Sequence, residues 1–122
     1  MNKAQALDNF YNQFGIPAYD INSVPDNATY PYITYEVREG KLEDVINLTA
    51  SIWYRSDSWR GVEEKANEIA RYLGYGGQSI KLDNGYLYIC QGVPFAQRMS
   101  DPLDDAVKRM VLNVQAEFLT SY

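Results

Sequence analysis

The tripeptide Asp83-Asn84-Gly85, set between Ile80 and Leu82 on one side and Leu87 and Ile89 on the other, constrains the fold more than any other feature of the chain. A two-residue type I′ turn needs positive φ at both central positions, and Asn-Gly supplies them at the lowest steric cost. With Asn84-Gly85 at the tip, Leu82 faces Leu87 and Ile80 faces Ile89. All four aliphatic side chains then share one face of an antiparallel hairpin. Tyr86, Tyr88 and Cys90 fall on the opposite face.

A second strong pattern lies upstream. Ile46, Leu48, Ala50, Ile52 and Tyr54 alternate with Asn47, Thr49 and Ser51, which predicts a half-buried strand with one wet face. Before it, Tyr30 to Arg38 is rich in aromatic and β-branched residues and has Pro31 near its start, so it reads as a strand joined to the next by the polar Arg38-Glu39-Gly40-Lys41 connection. Two amphipathic helices are predicted. Leu7, Phe10, Tyr11 and Phe14 define the first, closed at Gly15 ahead of Pro17. Val62, Ala66, Ile69 and Leu73 define the second, from about Ser58 to Leu73, closed by Gly74. Ala18 to Thr29 reads as a surface loop without defined structure, and Gly74-Tyr75-Gly76-Gly77 as a flexible connector. Both are expected to order only on docking.

From Ala106 to Leu119 the pattern fits a strand through Met110, Leu112, Val114, Ala116 and Phe118, or a helix through Val107, Met110, Val111, Val114 and Phe118. The strand is favoured because only it accounts for Leu112 and Ala116. The expected fold class is α+β, with amphipathic helices on one face of a mostly antiparallel sheet in the order helix, strand, strand, helix, strand, strand, strand. With 122 residues, 46% of them apolar and 22% charged, one folded domain spanning 1–122 is expected.

Composition excludes several kinds of chemistry. The chain has no histidine and a single cysteine, Cys90, so His-dependent nucleophiles, His-ligated zinc and thiolate clusters have no residues to build from. Cys90 reads as a buried strand residue. The adjacent carboxylates Glu43-Asp44, Glu63-Glu64 and Asp104-Asp105 read as solvated faces, since sequence neighbours diverge on helices and strands. Gly74, Gly76 and Gly77 follow a helix and lack the Lys-Ser/Thr of a phosphate loop. No catalytic, cofactor-binding or metal-ligating residue is assigned, and an enzyme is not expected. A net charge of −5 with scattered basic residues argues against nucleic-acid recognition. No apolar run approaches the roughly 18 residues of a membrane span.

Tyrosine is the compositional oddity, at 11 residues. Aromatic rings with polar tips suit protein interfaces, so Tyr30, Tyr32, Tyr86 and Tyr88 are the candidate subunit or partner interface. One patch is expected to combine Tyr86 and Tyr88 with residues of the first strand.

Several features recur together in one family: the amphipathic first helix, the polar loop, the phrase Tyr30-Pro31-Tyr32-Ile33-Thr34-Tyr35, and the alternating strand ending Ile52-Trp53-Tyr54-Arg55-Ser56. The helix Val62-Glu63-Glu64-Lys65-Ala66-Asn67-Glu68-Ile69, the hairpin, and a last strand carrying Arg109 and Phe118 complete the set. In these, nearly the whole chain resembles the tail-terminator (tail-completion) proteins of long-tailed bacteriophages. The resemblance implies a structural virion or prophage protein without cofactor, made in the bacterial cytoplasm and placed at the head-tail interface. It implies a hexameric ring that caps the tail tube, ends its polymerisation and meets head completion proteins, with DNA passing through the channel unbound. Closing such a ring takes two different, complementary patches per subunit. The alternatives are another head-tail joining protein, such as a stopper, or a small α+β module that binds a peptide or metabolite on its tyrosine-rich face.

Overall fold

The chain runs α1 (Lys3–Tyr11), β1 (Ala18–Asp20), β2 (Tyr32–Tyr35), β3 (Val45–Arg55), α2 (Arg60–Leu73), β4 (Gln78–Leu82), β5 (Gly85–Ser100) and β6 (Val107–Thr120). These elements come from a computed structural model that describes residues 1–42 and 44–120, so Glu43 of the Glu43-Asp44 pair lies outside the described residues. The strands form one sheet in the order β1-β2-β3-β6-β5-β4. Of its pairs, β1–β2 is parallel and the rest antiparallel, giving the expected α+β class.

Both helices cover the same face. Helix α2 buries Val62, Ala66, Ile69 and Leu73, and α1 buries Ala6, Leu7, Phe10 and Tyr11. They meet a sheet surface of Leu48, Ala50, Ile52, Leu87, Ile89, Leu112, Val114, Ala116 and Phe118. Each Leu, Ile, Val or Phe side chain in this layer removed from water stabilises the fold by about 1.5–3 kcal/mol, so this layer is what holds the sheet to its helices. Tyr11 stacks on Tyr35 of β2 at 5.0 Å, and Phe10 and Phe14 bring α1 against Tyr72 of α2 at 6.0 and 5.5 Å.

The segment from Val107 to Thr120 is a strand throughout. Residues of even number from Met110 to Phe118 point into the core, with Leu112 and Ala116 fully buried. Pairing with both β3 and β5 makes β6 a central strand.

Four expectations need correction. First, the segment read as an unstructured loop opens with β1, so the order gains a strand. Three residues carry no readable periodicity; β1 forms because Ile33 N–H donates to Pro17 O at 2.9 Å and Ile21 N–H to Tyr35 O at 2.8 Å. Second, α1 ends at Tyr11, not Gly15. The Asn12 side chain takes over there, donating Nδ2 to Asp8 O (2.9 Å) and Ala18 O (3.2 Å) and accepting Ala18 N–H on Oδ1 (2.9 Å). Phe14 still reaches the core beyond the helix end. Third, the first long strand is only Tyr32–Tyr35, since Tyr30 and Pro31 lead in through a turn and the chain leaves the ladder after Glu36 N–H reaches Thr49 O.

The fourth correction concerns the hairpin and its connector. Leu82 pairs with Gly85 and Ile80 with Leu87, so the two-residue tip is Asp83-Asn84. A shift of two leaves every side chain on its expected face. Gly85 is needed for space: a Cβ there would sit 2.0 Å from Leu119 O. The N-terminus fixes the tip, because Asp83 N–H donates to Met1 O at 2.9 Å and the Asp83 carboxylate pairs with the terminal ammonium. The connector is packed at its end only, Tyr75 being fully exposed. Gly77 has φ of 71° with no room for a Cβ beside Ile89 O, and the Tyr88 hydroxyl donates to Gly76 O.

Strand β5 continues far past Cys90. Gly92, Val93, Pro94 and Phe95 stand opposite Asn113 alone, between the pairs Gln91–Val114 and Ala96–Leu112. The excess is odd, so the two faces exchange residues across this bulge: Leu87 and Ile89 point inward before it, Ala96 and Arg98 after it. Asn113 Nδ2 donates to Pro94 O at 2.9 Å and holds the bulge in place.

Candidate functional site

The face of the sheet turned away from the helices has no layer of secondary structure over it among the described residues. At one end of that face the ladders align Tyr32 (β2), Trp53 (β3), Arg109 (β6) and Met99 (β5) in a row across four strands. Tyr32 stacks on Trp53 at 6.3 Å and also touches Tyr30 and Tyr19, at 5.4 and 6.0 Å. The indole is pinned by Trp53 Nε1 donating to Thr34 Oγ1 at 2.9 Å. The Arg109 guanidinium lies over the Trp53 ring at 4.6 Å, and its Nε donates to Ser51 Oγ at 3.0 Å. Burial, followed by the neighbouring phenols Tyr30 and Tyr19, pushes the Tyr32 hydroxyl above its ordinary value and keeps it a neutral donor.

Beside this row lies a groove of about 330 Å³, floored by Trp53 and Arg109 and walled by Met99, Pro102, Leu103 and Val107. The wall is anchored to β3. Arg55 donates to Asp104 at 2.6 Å, Asp104 also accepts Ala106 N–H at 2.9 Å, and Asp101 accepts Leu103 N–H at 2.8 Å. The hydrogen bond from Arg55 is the leading reason that the Asp104 carboxyl is held below the ordinary carboxylate range.

The opposite end of the same face has a different character. There Glu117 of β6 stands between Val45 of β3 and Tyr88 of β5, and Leu119 stands beside Tyr86. Val45 is 58% exposed, Tyr86 49% and Leu119 40%. Between the two ends the face is polar, with Asn47, Thr49, Asn113 and Gln115.

The four tyrosines expected at an interface therefore separate into two groups. Tyr30 and Tyr32 belong to the Trp53–Arg109 corner; Tyr86 and Tyr88 belong to the Glu117 corner. The single patch expected from Tyr86, Tyr88 and the first strand is not formed, because two strands and most of the length of β6 lie between them. Tyr88 has a role of its own in holding Gly76, and Tyr86 is the freer ring. Sequence reasoning passed over Trp53, Arg109, Met99 and Leu103 as site residues. A tryptophan on the wet side of an otherwise polar alternation was the available signal for Trp53. Met99 and Leu103 gave none, since the bulge in β5 scrambles the period-two pattern upstream of them.

A larger, open cleft of about 690 Å³ lies elsewhere, lined by Met1, Ala4, Gln5, Asp8, Asn9 and Tyr35. Its polar centre is a hydrogen-bonded cluster, Tyr35 Oη and Asn12 Nδ2 both donating to Asp8 Oδ1, at 2.7 and 3.1 Å. Burial first, then Asp8, raises the phenol well above its ordinary value, so at neutral pH it is a donor already in use. Among the described residues no three Cys, Asp or Glu side chains gather as a metal-ligand group. What the open face offers chemically is recognition: aromatic surface, a fixed guanidinium and a carboxylate in apolar company. No protein-family model matches this sequence, and no curated protein matches it.

Proposed function

We propose that the protein is a ring-forming structural subunit of the phage tail-terminator type. It closes on copies of itself as a hexameric ring at the end of the tail tube, ends tube polymerisation and presents a surface to the head completion proteins. The observation that carries this reading is the open face of the sheet. It bears two unlike corners at opposite ends, one built on Trp53, Tyr32 and Arg109, the other on Glu117, Val45, Leu119, Tyr86 and Tyr88 with Lys81 at its edge, separated by a polar centre. Two different patches on one subunit are what a closed heterologous ring uses, whereas a monomeric binding module concentrates its contacts in one concave site. The net charge of −5 suits a channel through which DNA slides without being held. Virion placement at the head-tail junction follows from the same reading.

Light scattering coupled to size-exclusion chromatography, over a range of protein concentrations and with purified tail-tube protein added, tests it. The expected result is a species of ring mass, free or on tube ends, visible as annuli in negative stain. A chain that stays monomeric in both conditions and saturably binds a peptide or metabolite overturns the reading. Co-purification with a portal protein instead of the tube protein moves the assignment to a stopper.

A further inference from the structure

We infer that Arg109 and Glu117 are the two halves of one intermolecular ion pair, through which the open face of one copy of this chain docks on the next. The direction of closure rests on the ring reading above; the contact itself rests on the following geometry.

Both residues belong to β6 and point to the helix-free face, at its opposite ends. At about 3.4 Å per residue they stand about 27 Å apart, far beyond reach of one another within one chain. Among the described residues, neither has an ion-pair partner in its own chain. Arg38, Arg55, Arg60 and Arg98 all hold a carboxylate of their own chain. Arg109 spends its Nε on Ser51 and its flat surface on Trp53, and among the described residues its two terminal amino groups meet no carboxylate. Glu117 likewise has no ion pair or hydrogen bond from its side chain among the described residues. A rigid, half-buried guanidinium with its fork free is preorganised for a carboxylate.

The surroundings match as well as the charges. Arg109 borders the groove walled by Met99 and Leu103, of which Leu103 is 94% exposed and Met99 39%. Glu117 is flanked by the exposed Val45, Leu119 and Tyr86, aliphatic and aromatic groups of a size to fill that groove. Trp, Tyr and Arg at the centre with apolar contacts around them is the composition of an interface hot spot. Asp101 also lines the groove, but its Oδ1 is engaged by Leu103 N–H.

A two-fold, face-to-face dimer could make the same pair twice, but it would bury Asn47, Thr49, Asn113 and Gln115 against their own copies and strip water from them. Corner-to-corner contact leaves that polar centre wet and uses each patch once per neighbour, a heterologous arrangement, and on the ring reading the rotation between neighbours closes it.

Charge exchange tests the pair. Self-association is measured by light scattering in solution and by occupancy of tail-tube ends for the native chain, Arg109→Glu, Glu117→Arg and the double variant. Each single change should raise the concentration needed for assembly on the order of a hundredfold, because the partner charge is left buried and unmatched. The double variant should recover most of that loss. Leu103→Glu, on an exposed side chain with no part in folding, should weaken assembly with an unchanged melting temperature, which guards against Arg109→Glu failing through misfolding. Rings from the native chain that persist in both single variants overturn this contact and leave the proposed function standing. A double variant that stays dissociated assigns Arg109 a different carboxylate and overturns the pairing with Glu117. A two-fold dimer as the end product overturns the head-to-tail arrangement. A native chain that never assembles, even on tube ends, overturns the ring reading along with it.

Discussion

One buried atom departs from the rule that interior polar groups find partners. Tyr11 Oη is enclosed and has no hydrogen-bond partner among the described residues, although its ring stacks well, 5.0 Å from Tyr35 and 4.9 Å from Phe10. The ring contributes core packing; the hydroxyl contributes only its desolvation cost. Tyr11→Phe keeps every ring contact and removes the orphan donor. It should therefore stabilise the chain by about 1–2 kcal/mol, read as a higher urea midpoint at unchanged slope. A loss of stability would mean that the hydroxyl has a partner in solution. Tyr35, its stacking neighbour, is the contrast. Its hydroxyl donates to Asp8, so Tyr35→Phe removes the shorter of the two hydrogen bonds to Asp8 Oδ1, leaving only Asn12 Nδ2, and should destabilise.

At the scale of elements, single polar side chains decide where helices stop and strands begin. Asn12 ends α1 and grips both the N–H and the C=O of Ala18, the first residue of β1. Asn12→Ala removes these contacts and the bond from Nδ2 to Asp8 Oδ1 at 3.1 Å, and should cost about 1–3 kcal/mol, with amide exchange rising first in Ala18–Asp20 and the last turn of α1. Gly85→Ala should cost more, about 3 kcal/mol or above, because the added Cβ would lie on Leu119 O in the central ladder. These two residues also mark what the sequence made legible. The hairpin, the strand through Ile46–Tyr54, both helices and the strand reading of β6 rest on hydrophobic periodicity, which local burial writes into the chain. The hairpin's faces were readable although its register was not, since a shift of two preserves them. Strand β1 and the bulge at Gly92–Phe95 depend on contacts between distant residues, and the early end of α1 on the one side chain of Asn12, for all of which the chain has no periodic signal. The site follows the same division. Its tyrosines stood out by composition, whereas the alignment of Tyr32, Trp53, Arg109 and Met99 exists only once β2, β3, β6 and β5 are neighbours.

Across the whole molecule, stability should depend on pH at both ends of the range, and the two ends have different physical origins: buried phenols on the alkaline side, an ion-paired surface carboxylate on the acid side. On the alkaline side, Tyr11 and Tyr35 are both pushed above the ordinary tyrosine value of 10.0, Tyr11 by burial with Glu36 and Tyr35 adding to it, Tyr35 by burial with Asp8 next. Their phenols stay protonated in the folded chain at pH values where the unfolded chain has already released those protons. The folded state then binds more protons than the unfolded one, so stability falls as pH rises through 10.0 and continues to fall until the folded-state values are reached. For Tyr11 alone the limiting slope is about 1.4 kcal/mol per pH unit. On the acid side, the depressed Asp104 carboxyl contributes stability that is present above its ordinary value of 3.8 and is lost as pH falls through the lowered one. Because Asp104 is only half-buried and its partner Arg55 is exposed, salt screens that contribution. Urea midpoints measured from neutral pH to about pH 11 should therefore fall steeply on the alkaline side and change little with salt there, whereas the acid edge should respond to salt. Tyr11→Phe separates the causes: it should raise the neutral-pH midpoint and flatten the alkaline fall in the same protein. An alkaline slope identical in the native chain and in Tyr11→Phe would show that Tyr11 ionises without unfolding, and would place the alkaline limit elsewhere in the fold.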